Sequence, residues 1–129
     1  MRLLLDTHVL IWFIEDERRL ITSVYDQIVD PEVDVLVSIA SLWEIAIKTS
    51  IGKLTLREPF ETLIPRQLAA EQIDVLPISM PHLAALRTLP HHHRDPFDRL
   101  IIAQAMAEGV AVVTADHAFA AYDVAVVWA

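Results

Sequence analysis

Short apolar runs alternate with helix-length segments along this chain, and that alternation restricts its fold more than any other feature. The runs are Arg2–Asp6, Val33–Ser38, Asp74–Ile78, Val110–Thr114 and Val124–Trp128. Helical patterns lie between them at His8–Glu15, Thr22–Val29, Ala40–Ser50, Pro59–Glu71, Pro81–Thr88 and Pro96–Glu108. Parallel strands need long return connections, and a helix supplies one while covering a face of the sheet. The predicted class is therefore α/β: a three-layer α/β/α domain whose mainly parallel central sheet is flanked by helices. The only glycines, Gly52 and Gly109, read as helix stops. No repeat or linker divides residues 1–129, so a single domain is expected.

In such folds ligands bind beyond the carboxyl ends of the strands. Asp6 ends the first run, and Asp116 closely follows Val110-Ala111-Val112-Val113. Glu44 and Asp98 lie in helical patterns rich in Leu, Ile and Ala. Carboxylates this close to core-forming segments are costly to desolvate without a partner. A divalent cation partners several at once, which makes a metal-dependent hydrolase the first hypothesis.

Composition narrows the alternatives. Hydrophobic residues make up 54% of the chain and the mean hydropathy is +0.41. Yet runs such as Val9–Ile14 fall far short of the ~20 residues a membrane span requires. Asp6 and His8 break the N-terminal apolar stretch, so no signal peptide is expected. Cysteine is absent, which excludes disulfides and thiolate metal sites and fits a cytoplasmic protein. The net charge of −8 argues against gripping nucleic acid through a broad basic face. It leaves room for a nuclease whose cation neutralises the acids, and it suits a basic protein partner.

Each acid also has an ordinary structural reading. Asp6 or Thr7 could cap the helix that starts beside them. Glu44 and Lys48 are spaced for a solvent-exposed helix pair. Their helix is apolar nearly all round, however, and Ser41, Glu44 and Lys48 form its one polar stripe, facing either solvent or a cleft. Asp95 followed by Pro96 marks a helix start. Asp98, three positions on, suits the helix dipole, yet it shares a face with the core-forming Ile101, Ile102 and Ala105. Capping is therefore assigned to Asp95 and the site to Asp98, with Asp95 close enough to approach a metal or orient a ligand. Asp116 could be a turn residue, and Thr114 could bond a carboxylate or end a strand. The consecutive His91, His92 and His93 cannot easily converge on one ion and read as a solvated loop. His8 and His117 neighbour site candidates. Arg94 and Arg99 read as phosphate or partner contacts, or as solvated charge. Trp12, Trp43 and Trp128 read as core or subunit-interface residues.

Taken together, the acidic segments resemble a known family. Leu3-Leu4-Leu5-Asp6-Thr7-His8 is similar to the opening of a PIN-domain nuclease, and Ser41-Leu42-Trp43-Glu44-Ile45-Ala46 to its central acidic helix. Asp95-Pro96-Phe97-Asp98-Arg99-Leu100-Ile101-Ile102-Ala103-Gln104-Ala105 resembles its third motif and Val113-Thr114-Ala115-Asp116 its fourth. Within that family the chain looks most like the VapC-type toxins of bacterial toxin–antitoxin modules, whose compact length it shares. The resemblance implies a Mg²⁺- or Mn²⁺-dependent endoribonuclease with an RNA substrate, a cognate antitoxin covering the cleft, and a homodimer. It carries Asp6, Glu44, Asp98 and Asp116 over as catalytic, metal-holding acids. Asp95, Thr7, Thr114 and Arg99 stand in supporting positions. Alignment on Ile-Ile-Ala-Gln-Ala favours Asp98 over Asp95.

Other classes fit less well. A phosphatase of the haloacid-dehalogenase type needs a second aspartate two residues after the first, where this chain has His8. A dinucleotide-binding fold needs a glycine-rich loop after the first strand, and none is present. The non-enzymatic alternative is an acidic-cleft module that binds a basic protein.

Overall fold

The computed structural model describes residues 1–128. In chain order its elements are β1 (Arg2–Leu5), α1 (Thr7–Glu15), α2 (Thr22–Val29), β2 (Asp34–Ser38), α3 (Ile39–Ser50), α4 (Phe60–Ala70), β3 (Asp74–Leu76), α5 (Met80–Arg87), α6 (Pro96–Glu108), β4 (Ala111–Thr114) and β5 (Val126–Trp128). Two short 3-10 segments, Glu17–Arg19 and His117–Ala121, have no counterpart among the expected elements.

The strands form one sheet in the order β3-β2-β1-β4-β5. Every pairing is parallel, so the sheet is wholly rather than mainly parallel. β1 lies at its centre, and Leu3, Leu4 and Leu5 are completely buried. An unbroken apolar run of this kind is stable only where helices cover both faces. Leu3 and Leu5 join Val35, Val37 and Val113 in one core, sealed by Val9, Val24 and Leu63 from α1, α2 and α4. Leu4 points the other way, with Leu36 and Val112, into a second core sealed by Ile101, Ile102 and Ala105 of α6. The two-residue alternation of a strand thus divides one Leu run between two cores. Burying each such side chain contributes roughly 1.5–3 kcal/mol. Three α/β/α layers result.

Element boundaries moved where capping chemistry decided them. α1 begins at Thr7, one residue early, because Asp6 Oδ1 accepts the Val9 amide at 2.8 Å. α3 begins at Ile39 because Ser38 Oγ accepts the Ala40 amide at 3.0 Å. α6 stops at Gly109, whose φ of 66° is left-handed and whose amide reaches Ala105 O. No helix among the described residues is long and apolar enough to cross a membrane.

The chain leaves β1 for β2 on one side, and later crosses from β3 to β4 on the other. A crevice opens at such a switch point, beyond the carboxyl ends of the strands. Asp6 follows β1 directly, and Asp116 lies two residues beyond the end of β4.

Candidate metal centre

Asp6 is 3% exposed and serves both readings at once. Its Oδ1 caps α1, while its Oδ2 accepts the Thr114 hydroxyl at 2.5 Å across the ends of β1 and β4. An ionised carboxylate offers about four lone-pair sites, so capping leaves capacity for a cation. Burial holds the Asp6 carboxyl above its usual pKa, against the pull of the Thr114 and Val9 hydrogen bonds. Thr7 Oγ1 donates to Ser41 Oγ at 3.0 Å and pins α1 to α3 beneath the crevice.

Glu44 settles the polar stripe of α3. It is 3% exposed, so it does not face open solvent, and its charge reaches Asp98. Its Oε2 accepts Lys48 Nζ at 2.6 Å, the i, i+4 pair expected from the spacing. Its Oε1 is buried without a hydrogen-bond partner. The bond to Glu44 first, and the charges of Asp95 and Asp98 besides, hold the Lys48 ammonium above its usual pKa. The Glu44–Lys48 pair therefore borders the other acids.

Asp95 and Asp98 divide their tasks. Asp95 Oδ1 accepts the amides of Phe97 at 2.8 Å and Asp98 at 3.2 Å, which is N-capping of α6. Asp98 lies one turn above the buried Ile101 and Ile102, which direct it towards the sheet edge. Its pKa is pushed up to about 7, by burial first and then by the negative charges of Asp95, Asp6 and Glu44. Asp116 caps the turn at His117–Ala121, its Oδ1 accepting the Ala118 amide at 2.9 Å. Burial would raise the Asp116 pKa, but the Ala118 amide and His93 outweigh it and hold the carboxyl below its usual range. The site acids thus come from four separate parts of the chain into one electrostatically coupled cleft.

Two expectations need correction. His93 is not part of a solvated loop: its side chain is 15% exposed, with Nε2 at 3.0 Å from Asp116 Oδ2 and 3.1 Å from Asp98 Oδ2. His93, Asp98 and Asp116 offer donor atoms within 4.8 Å of one another. His91 and His92 are exposed. Consecutive histidines do point apart, as expected, and only one of them enters the site. Arg99 does not face the cleft with a free guanidinium. It is buried and donates to Pro90 O at 2.8 Å and Leu89 O at 3.3 Å, which holds the histidine loop down. Arg94 is exposed.

Sequence reasoning also missed Tyr122, whose hydroxyl accepts the backbone amides of His92 at 2.9 Å and His93 at 2.7 Å. Nothing local marks a tyrosine that far along the chain as a support for this loop. Of the tryptophans, Trp12 and Trp128 pack edge to face with ring centroids 5.6 Å apart. Trp43 is 57% exposed, packed edge-on against Phe97.

A cavity of about 320 Å³ opens beside Asp6 and Asp116 and is lined also by His8, Trp12 and Ala115. A second, also about 320 Å³, shares His8 and Trp12 and carries Arg19, Lys48 and Lys53. A larger one of about 420 Å³, near Leu54–Phe60, holds only the acid Glu58, which Arg66 pairs. It lacks a donor set and is not a candidate centre.

A family model for the PIN domain matches residues 3–125. The chain belongs to the PIN domain family. This PIN domain superposes on a chain of VapBC2 from Rickettsia felis, a complex solved with a DNA fragment from its promoter. The TM-score is 0.76 at 16% identity, covering 98% of both chains. A chain of VapBC-1 from nontypeable Haemophilus influenzae gives 0.70 at 19% identity, over 98% of this PIN domain and 97% of that chain. FitAcB from Neisseria gonorrhoeae gives 0.63 at 24% identity, over 96% and 95%. At these identities the likeness is one of fold. No curated relative matches the PIN domain by sequence.

The donor set fits a hard divalent cation. Carboxylate oxygens are the ligands Mg²⁺ and Mn²⁺ prefer. The buried, unpartnered Glu44 Oε1 is an atom whose desolvation such a cation offsets.

Proposed function

We propose that this PIN domain is a metal-dependent endoribonuclease, the toxin of a toxin–antitoxin module of the VapC type. The observation that carries this reading is the meeting of Asp98 and Asp116 beside His93, with the charges of Asp6 and Glu44 reaching Asp98 and Glu44 Oε1 buried and unpaired. Asp6, Asp98 and Glu44 hold Mg²⁺ or Mn²⁺, and Asp116 completes the set. The bound cation supplies Lewis acidity where negative charge develops on a phosphodiester. Thr114 and the Val9 amide fix Asp6 in place, so its carboxylate needs no reorganisation when charge builds up. Lys48 holds one oxygen of Glu44 and leaves the other for the cation.

The adjoining cavity supports a nucleic-acid substrate. Arg19 and Lys53 bring cations to its lining, with Lys48 paired to Glu44 and with Glu15 and Asp16 also present, in a chain of net charge −8. An RNA substrate is supported by two neighbouring features, the acids that would hold the cation and the Arg19 and Lys53 side chains beside them.

The likeness to VapBC complexes, one of them described as a toxin–antitoxin system, supports an antitoxin partner. α3 and the residue that caps its end also present Ile39, Trp43, Ile47 and Ile51, all exposed and four residues apart along one stripe. That stripe supports a face covered by the antitoxin or by a second copy in a homodimer.

The test is cleavage of a structured RNA with Mg²⁺, with EDTA, and by Asp6→Ala and Asp98→Ala. Activity that depends on metal and is lost in both variants is expected. Equal cleavage by wild type and both variants would mean a contaminating nuclease and end the proposal.

A further inference from the structure

His93 touches two of the site acids and is itself held from several sides. Its Nδ1 accepts the backbone amide of Asp95 at 3.1 Å. A nitrogen that accepts a hydrogen bond carries no proton, so the ring proton sits on Nε2. Nε2–H donates to Asp116 Oδ2 at 3.0 Å and stands 3.1 Å from Asp98 Oδ2.

This tautomer decides between two roles. A histidine that ligates a metal through Nε2 must give up the proton there, and Nδ1 then carries it. That proton would meet the Asp95 amide proton head-on and cost both groups their hydrogen bond. The Asp95 amide is fixed, because its own residue caps α6. The ring is fixed as well. Tyr122 accepts the backbone amides on either side of the His92–His93 link, Arg99 holds the carbonyls of Leu89 and Pro90, and Phe119 packs edge to face at 5.9 Å.

Asp116 needs such a restraint. Its side chain is 44% exposed, against 14% for Asp98. The Ala118 amide holds its Oδ1, and among the described residues His93 alone bonds its Oδ2.

We infer that His93 is a positioning residue: a donor locked on Nε2 that holds the Asp116 carboxylate beside Asp98 and so completes the cation's oxygen ligands without becoming one. The inference rests on the proposed metal centre, and it extends that centre to the histidine loop, Arg99 and Tyr122.

The test measures Mn²⁺ binding by the loss of the free-ion EPR signal, in wild type, His93→Gln and His93→Leu, with thermal melts of each. Gln places an amide donor near the position of Nε2, while Leu keeps the packing on Phe119 and removes the donor. Leu is expected to weaken Mn²⁺ binding about 10- to 100-fold, the usual cost of losing a group that orients a ligand. Gln is expected to restore binding close to wild type. ¹⁵N shifts of the metal-free protein should show the Nε2–H tautomer, and the same tautomer should persist with a diamagnetic cation, Mg²⁺, bound. Equal losses in Gln and Leu, or a switch to the Nδ1–H tautomer on Mg²⁺ binding, would make His93 a ligand. Tighter binding by Leu would make the ring a competitor for the cation's place. Unchanged binding in both variants would remove His93 from the site. Each of these overturns the inference while leaving the metal centre intact. No Mn²⁺ binding by wild type would instead overturn the centre and the inference together.

Discussion

Thr114 Oγ1 donates a 2.5 Å hydrogen bond to Asp6 Oδ2, joining two residues 108 positions apart. The bond links the carboxyl ends of β4 and β1 and satisfies a buried carboxylate oxygen. Thr114 Oγ1 also accepts the Asp116 amide at 3.0 Å, so one hydroxyl connects two site acids. Thr114→Val keeps the shape and removes both bonds. It should destabilise the fold by about 1–3 kcal/mol, the range for a buried polar group left unsatisfied. Thr114→Ser should recover most of that loss. Urea unfolding of the three proteins checks it, and a Val variant as stable as wild type would mean that the bond contributes nothing.

Asp98 predicts a pH dependence with a defined sign. Its folded pKa of about 7 lies above the usual 3.8, so the folded state binds this proton more tightly than the unfolded state does. The associated stability is complete below about 4 and is lost as pH rises through about 7. The lowered pKa of Asp116 acts only at the acidic end of this range, where falling pH removes its contribution. Calorimetry in chelator across this window should show Tm falling with pH. Asp98→Asn should flatten the trend, and an unchanged slope in that variant would assign the dependence elsewhere.

Cation binding should stabilise the fold by mass action. At a concentration 100 times its Kd, Mn²⁺ should add about 2.7 kcal/mol, seen as a rise in Tm. Asp6→Asn, Glu44→Gln and Asp98→Asn should each lose most of that rise. A full rise in all three variants would place the cation away from these acids.

Arg99 should act on the loop and not on RNA. Arg99→Met removes donors to Leu89 O and Pro90 O, and should cost about 1.5–3 kcal/mol for hydrogen bonds to a charged group. The slope of log Kd against log salt for RNA should stay unchanged. Loss of one phosphate contact would reduce it by about 0.7 for a single strand. Lys53→Met, in the neighbouring cavity, should show that reduction instead.

Gly109 offers a check on the end of α6. Its φ of 66° disfavours any residue with a Cβ, although no atom lies within 4 Å of where that Cβ would sit. Gly109→Ala should therefore cost about 1 kcal/mol through backbone conformation alone, measurable as a lowered urea midpoint.

The amino-acid sequence by itself determined the layers of this protein and the strand ends where its acids gather. Apolar runs such as Leu3-Leu4-Leu5 have only one way to bury every side chain, and helical returns make the sheet parallel. The Ile101, Ile102 and Ala105 stripe separated Asp98 from its neighbour Asp95, because periodicity is a local property. Tertiary structure decided the rest. Glu44 and Lys48 have the spacing of a surface pair, and only the packing of α3 against its neighbours buried the Glu44 end of that pair within reach of Asp98. His93 looked like one of three equivalent loop residues until Tyr122, Arg99 and Phe119 selected it. Those partners are distant along the chain, and hydrogen-bond geometry acts over about 3 Å of space whatever the separation in sequence.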